Sequence, residues 1–124
     1  MKRIYIVLAL AMAMTTAKAQ NKDTEAADKL FLRLSYVDAA DAYKKLVDDG
    51  KGDPYVYSQL AESYYNVFNY KEAARWYAKV IETPQEAETY YKYAQMLKAD
   101  GKYEESNKQM ATFAAKAPND QRAI

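Results

Sequence analysis

The side chains that most often do chemistry are missing from this chain. Its 124 residues hold no histidine and no cysteine, which removes together the commonest general base, the thiol nucleophile and the usual zinc ligand sets. Three glycines in all cannot build a phosphate-cradling loop, which needs several at fixed spacing. Carboxylates remain, and the adjacent pairs Asp48/Asp49 and Glu104/Glu105 are the densest. Neighbouring residues on a helix do not share a face, so neither pair converges on one proton or one calcium ion, and solvated helix ends are the simpler reading. The expectation is a non-enzyme that uses no metal and no cofactor. The unusual residues are thirteen tyrosines, large rings with one polar handle, a chemistry suited to contact surfaces.

What positions those tyrosines is a repeat. The stretch Asp53 to Pro84 reads DPYVYSQLAESYYNVFNYKEAARWYAKVIETP. Its second half, from Tyr70 through Ala73, Tyr77 and Val80, recurs 34 positions earlier as Tyr36, Ala39, Tyr43 and Leu46. It recurs 33 positions later as Tyr103, Ser106 and Met110. Self-similarity at this period predicts stacked helical hairpins. Tyr57, Leu60, Ala61 and Tyr64 fall on one helical stripe, and Ala73, Tyr77, Val80 and Ile81 on another. The turn Phe68-Asn69-Tyr70 is too short for anything but an antiparallel hairpin. Pro54 suits a first helical turn, Pro84 ends a helix, and Ala61 and Ala73 permit close approach.

These residues resemble the tetratricopeptide repeat (TPR), whose pattern W-x2-L-G-x2-Y, A-x3-F, P stands here as Tyr57-x2-Leu60-Ala61-x2-Tyr64, Ala73-x3-Tyr77, Pro84. A third copy reads Tyr90-x2-Tyr93-Ala94-x2-Leu97, Ser106-x3-Met110, Pro118. The first is degenerate, keeping Ala26-Ala27-x2-Leu30 and Ala39-x3-Tyr43, with Asp23 where an aromatic would sit. The resemblance implies an all-α, right-handed solenoid of three hairpins over 20–53, 54–86 and 87–120. It also implies that the first helix of each hairpin lines a concave wall, made of Tyr55, Ser58, Gln59, Glu62, Tyr65, Asn66, Glu88, Tyr91, Lys92, Gln95 and Lys98. Aromatic anchors among amides and mixed charges suit a peptide or protein segment. For Tyr55, Tyr65 and Tyr91 a second reading stays open, that they merely cover helix surface near the joins between repeats.

Residues 1–19 read as a separate object. Lys2 and Arg3 precede an apolar run from Ile4 to Met14, and Ala17-Lys18-Ala19 forms an A-x-A exit. This is the layout of a secretory signal peptide cleaved after Ala19, and it fits better than an amphipathic anchor or a buried first helix. The run is too short to span a bilayer. Export in a bacterium points to the periplasm, with outer-membrane association open. Without the leader, 15 basic residues face 17 acidic ones, a balance that offers no footprint for nucleic acid or for a membrane-surface helix. At the other end, residues 121–124 read as the truncated start of a following segment. A stack that stops there would leave Met110, Phe113 and Ala114 for an oligomeric partner or for further chain to cover.

A finer resemblance lies in the phrases ADKLFLRLSYVDAADAYKKL (Ala27 to Leu46), ARWYAKV (Ala74 to Val80), ETYYKYAQMLKADGKYEESNK (Glu88 to Lys108) and FAAKAPNDQRA (Phe113 to Ala123). They are similar to the amino-terminal segment of OmpA-family envelope proteins of Bacteroidetes. There a signal peptide and short TPR segment precede a β-propeller and a peptidoglycan-gripping OmpA-like domain, and some members serve type IX secretion. The resemblance implies a docking module rather than a wall-binding one. The resulting expectation is a periplasmic scaffold that holds a protein partner on its concave face. The alternative is a structural module that self-associates through its C-terminal end.

Overall fold

The computed structural model describes residues 22–123, so the signal-peptide reading of residues 1–19 lies outside the described residues, as does Ile124. Six helices follow in order: α1 Glu25–Leu32, α2 Tyr36–Asp48, α3 Pro54–Asn66, α4 Tyr70–Val80, α5 Ala87–Ala99 and α6 Tyr103–Lys116. A 3-10 turn, Gln121–Ala123, comes last, and there is no strand among the described residues. Each helix packs on the one before it. The result is an all-α solenoid of three hairpins, α1–α2, α3–α4 and α5–α6.

Local chemistry sets the boundaries. Asp53, on extended backbone, accepts a hydrogen bond from the Val56 N–H at 2.9 Å, and Pro54 follows at the first helical position, where its missing N–H costs nothing. Three first helices end alike. The N–H of Ser35 returns to the Leu30 carbonyl at 2.9 Å, that of Asn69 to Tyr64 at 2.9 Å and that of Lys102 to Leu97 at 2.9 Å. In each case the preceding residue is left-handed: Leu34 at φ 64°, Phe68 at 56° and Gly101 at 76°.

Small residues face one another within each hairpin. Ala61 and Ala73 are wholly buried, as are Ala39 and Ala94, which lets backbones approach closely. Ser106 stands where the other copies have alanine, and its buried hydroxyl is satisfied by donating to the Ala94 carbonyl at 2.8 Å.

Two sequence expectations are corrected. The stripe expected on α3 shifts, because Val56, Leu60, Ala61 and Ser63 are buried while Tyr57 and Tyr64 are half-buried. The central hairpin has neighbours on both sides, so its buried arc is wider than one stripe, and the Tyr57 ring stacks on Trp76 at 5.8 Å. Phe113, expected to be bare, is fully buried. The chain folds back after α6 and lays the Arg122 guanidinium 5.1 Å from its ring, opposite Tyr91 at 5.2 Å. Met110 and Ala114 are half-buried.

Leu34 is 69% exposed in a conformation that costs an L-residue about 1–2 kcal/mol. Leu34→Gly removes that cost and adds back about 0.5–1 kcal/mol of backbone entropy. The expected outcome, in thermal melts of dilute protein, is a melting temperature unchanged or raised by a few degrees. A clear drop would show that the leucine side chain stabilises the isolated chain.

Candidate functional site

Helices α1, α3 and α5 form one face, and polar side chains tie them together. On α1, the buried Asp28 carboxylate accepts from the Tyr43 hydroxyl of α2, from Tyr55 of α3 at 2.8 Å and from Thr24 at 2.9 Å. Gln59 of α3 donates to the Tyr43 oxygen at 3.2 Å. One repeat later the pattern returns. Glu62 accepts from Tyr77 of α4 at 3.0 Å and from Lys92 of α5 at 2.9 Å, and the Lys92 ammonium also lies 5.0 Å from the Tyr65 ring centre. In each case a carboxylate on a first helix binds the tyrosine of its own hairpin and a donor from the next one.

The third hairpin breaks the pattern. In its register Gln95 stands where Glu62 stood and Met110 where Tyr77 stood. A different clamp serves there: Arg122 grips Glu88 through both terminal guanidinium nitrogens, at 3.1 and 2.9 Å, bonds Asp120 at 2.8 Å, and covers the Tyr91 ring at 4.3 Å. The bonds from Arg122 hold the Asp120 carboxyl down at about 2 and raise the guanidinium above its ordinary value.

The expected site residues therefore fall into two groups. Tyr55, Gln59, Glu62, Tyr65, Tyr91 and Lys92 lie on the face but are engaged within the chain, which joins both readings of the tyrosines: they line the face and they seal the joins. Glu88 is engaged by Arg122. Ser58, Gln95 and Lys98 make no side-chain hydrogen bond or ion pair among the described residues, and Asn66 bonds only its own helix, to the Glu62 carbonyl at 2.7 Å. Gln95 and Lys98 border a surface dent of about 360 Å³ whose other lining residues are Phe68, Met96, Ala99 and Tyr103.

Those four residues escaped sequence reasoning, as did Asp28. The signal for Phe68 was present, since it stands 34 positions after Leu34 and 33 before Gly101, a bulky residue in a place that favours glycine. Nothing local marks Asp28, whose partners Tyr43 and Tyr55 are distant in sequence.

No family model matches the chain, and no curated protein matches it. Among solved structures, the C-terminal part of a TPR repeat-containing protein from Cytophaga hutchinsonii matches 77% of this chain with a TM-score of 0.65 at 20% identity. The fold is TPR-like. The chain spans 39% of that structure's length, so the likeness speaks for the TPR-like architecture alone.

The TPR-like stack also has a pH signature. Burial, and then the hydrogen bond to Asp28, raise the Tyr43 hydroxyl above the ordinary tyrosine range, and burial followed by the Glu62 charge does the same to Tyr77. The fold thus favours the neutral phenols. Their contribution is complete below the unfolded value of about 10 and is lost as pH rises beyond it. In an alkaline titration followed by tyrosine absorbance and circular dichroism, a fraction of the tyrosines should ionise only together with loss of helical signal. Ionisation of all of them near pH 10 with helicity intact would contradict this.

Proposed function

We propose that the chain is a non-catalytic docking scaffold of the bacterial cell envelope. It holds a peptide or protein segment of a partner against the face formed by α1, α3 and α5, chiefly at the third hairpin. The observation that carries the reading is the unequal commitment of that face. At the first two joints the polar groups satisfy one another, whereas Gln95 of the third hairpin makes no side-chain hydrogen bond among the described residues, and Ser58 and Asn66 of α3 keep donors and acceptors that no other helix uses, on the same face as the half-buried rings of Tyr65 and Tyr91. An extended segment meets such a surface with its own backbone and one or two inserted side chains. The absence of histidine and cysteine from the sequence supports binding over catalysis.

The envelope setting rests on the leader pattern of residues 1–19 and on the resemblance to the amino-terminal segment of OmpA-family proteins. Together these give a periplasmic module associated with the outer membrane, the front part of a peptidoglycan-associated protein of the kind linked to type IX secretion.

The double substitution Ser58→Ala with Gln95→Ala removes unspent groups at little structural cost, since neither side chain makes a hydrogen bond among the described residues. Capture of envelope proteins by the purified chain should fall tenfold or more, with a melting temperature within a few degrees of the original. Unchanged capture would refute the assigned face. Cell fractionation tests the setting: processed chain is expected in the periplasmic or outer-membrane fraction, and unprocessed chain in the cytoplasm would contradict it.

A further inference from the structure

Six large apolar side chains stand exposed among the described residues, and all lie at the turns that join the two helices of a hairpin. Leu32, Leu34 and Val37 are at the first turn, Val67 and Phe68 at the second and Tyr103 at the third, with exposures from 40% to 77%. Because the helices within each hairpin are antiparallel and the hairpins stack in sequence, these turns share one edge. Leu34 and Phe68 also occupy left-handed backbone that Gly101 adopts without strain in the third copy. A strained conformation kept in order to display an apolar side chain to solvent points to a use for that side chain.

We propose that this edge binds a second copy of the chain about a two-fold axis. In that arrangement the projecting leucines of the first turn seat in the dent that Phe68 and Tyr103 wall in the partner copy, and the reciprocal contact forms at the same time. Three observations select this occupant. The edge carries both halves of a fit, aliphatic knobs at one end and at the other an apolar-floored dent of about 360 Å³ containing Met96 and Ala99, so symmetry makes each contact twice. Six side chains at on the order of 100 Å² each give about 600 Å², the top of the range for a monomer's largest apolar patch and close to the ~800 Å² per partner of a standard interface once polar atoms are added. The charges alternate: Arg33 and Asp38 flank the knobs, Lys98 and Glu104 flank the dent, and none of the four has an ion-pair partner among the described residues. The two-fold arrangement brings Arg33 to Glu104 and Asp38 to Lys98. An edge of mixed sign also gives no electrostatic attraction to an anionic lipid surface. The buried end of α6 takes no part.

Sedimentation equilibrium of the purified chain is the test. The expected result is a dimer with a dissociation constant on the order of 1–100 µM. Leu34→Gly and Phe68→Gly keep the turn conformation and should each weaken it tenfold or more, with circular dichroism unchanged. Arg33→Glu should weaken it as well, and adding Glu104→Arg should restore it. A chain monomeric across that range, or a dimer indifferent to all four substitutions, overturns the proposal. So does a monomer that floats with vesicles of phosphatidylcholine and phosphatidylglycerol, which would make the edge a lipid contact.

Discussion

The structure depends on how the joint between successive hairpins handles a carboxylate. Asp28 and Glu62 occupy the same register position in the first two hairpins, and each is drawn out of full solvent contact. A carboxylate in that place is costly unless hydrogen-bonded. Its partners are drawn from two directions, a tyrosine on the second helix of its own hairpin and a tyrosine or lysine on the first helix of the next. One side chain thereby fixes both the packing within a hairpin and the angle at which the next one leans. Losing a single partner would leave a charge with unmet bonds, which is why the joint favours one geometry over sliding alternatives.

That arrangement decides what the open face can offer. Tyrosine hydroxyls and lysines that look available in an isolated helix are already spent in holding the stack. The third hairpin, with Gln95 and Met110 in the corresponding places, has no carboxylate at that register position, and its face is held instead by Arg122, bonded to Glu88 and folded back over Tyr91 and Phe113. The polar groups that the stack leaves unspent thus include Gln95 and Lys98, where structure makes the fewest demands.

The architecture was legible because its causes are local or periodic. The 34-residue spacing, the matched alanines and Pro54 after Asp53 each act through nearby backbone, and the helices lie where those signals put them. The commitments of individual side chains were not legible. Asp28 reads as an ordinary acid on a first helical turn, and its burial is created by hydroxyls 15 and 27 positions away. Val56 replaces Tyr57 in the core because a central repeat is covered on two sides, which a single-stripe pattern does not express. Phe113 appeared bare because a proline and a few polar or small residues after a helix read as a tail, whereas the Asp120 and Arg122 bonds make them a cover. The turn residues Leu34 and Phe68 broke the rule that glycine fills left-handed positions.

The central claim is that a partner is held at the third hairpin on the face of α1, α3 and α5. Photo-crosslinking in living cells tests it most directly, with a benzophenone amino acid placed at Gln95 on that face or at Ala111, exposed on α6. A discrete crosslinked band that joins the chain to a different protein is expected from position 95, and none from position 111. Labelling from 111 alone, or equal labelling from both, would contradict it.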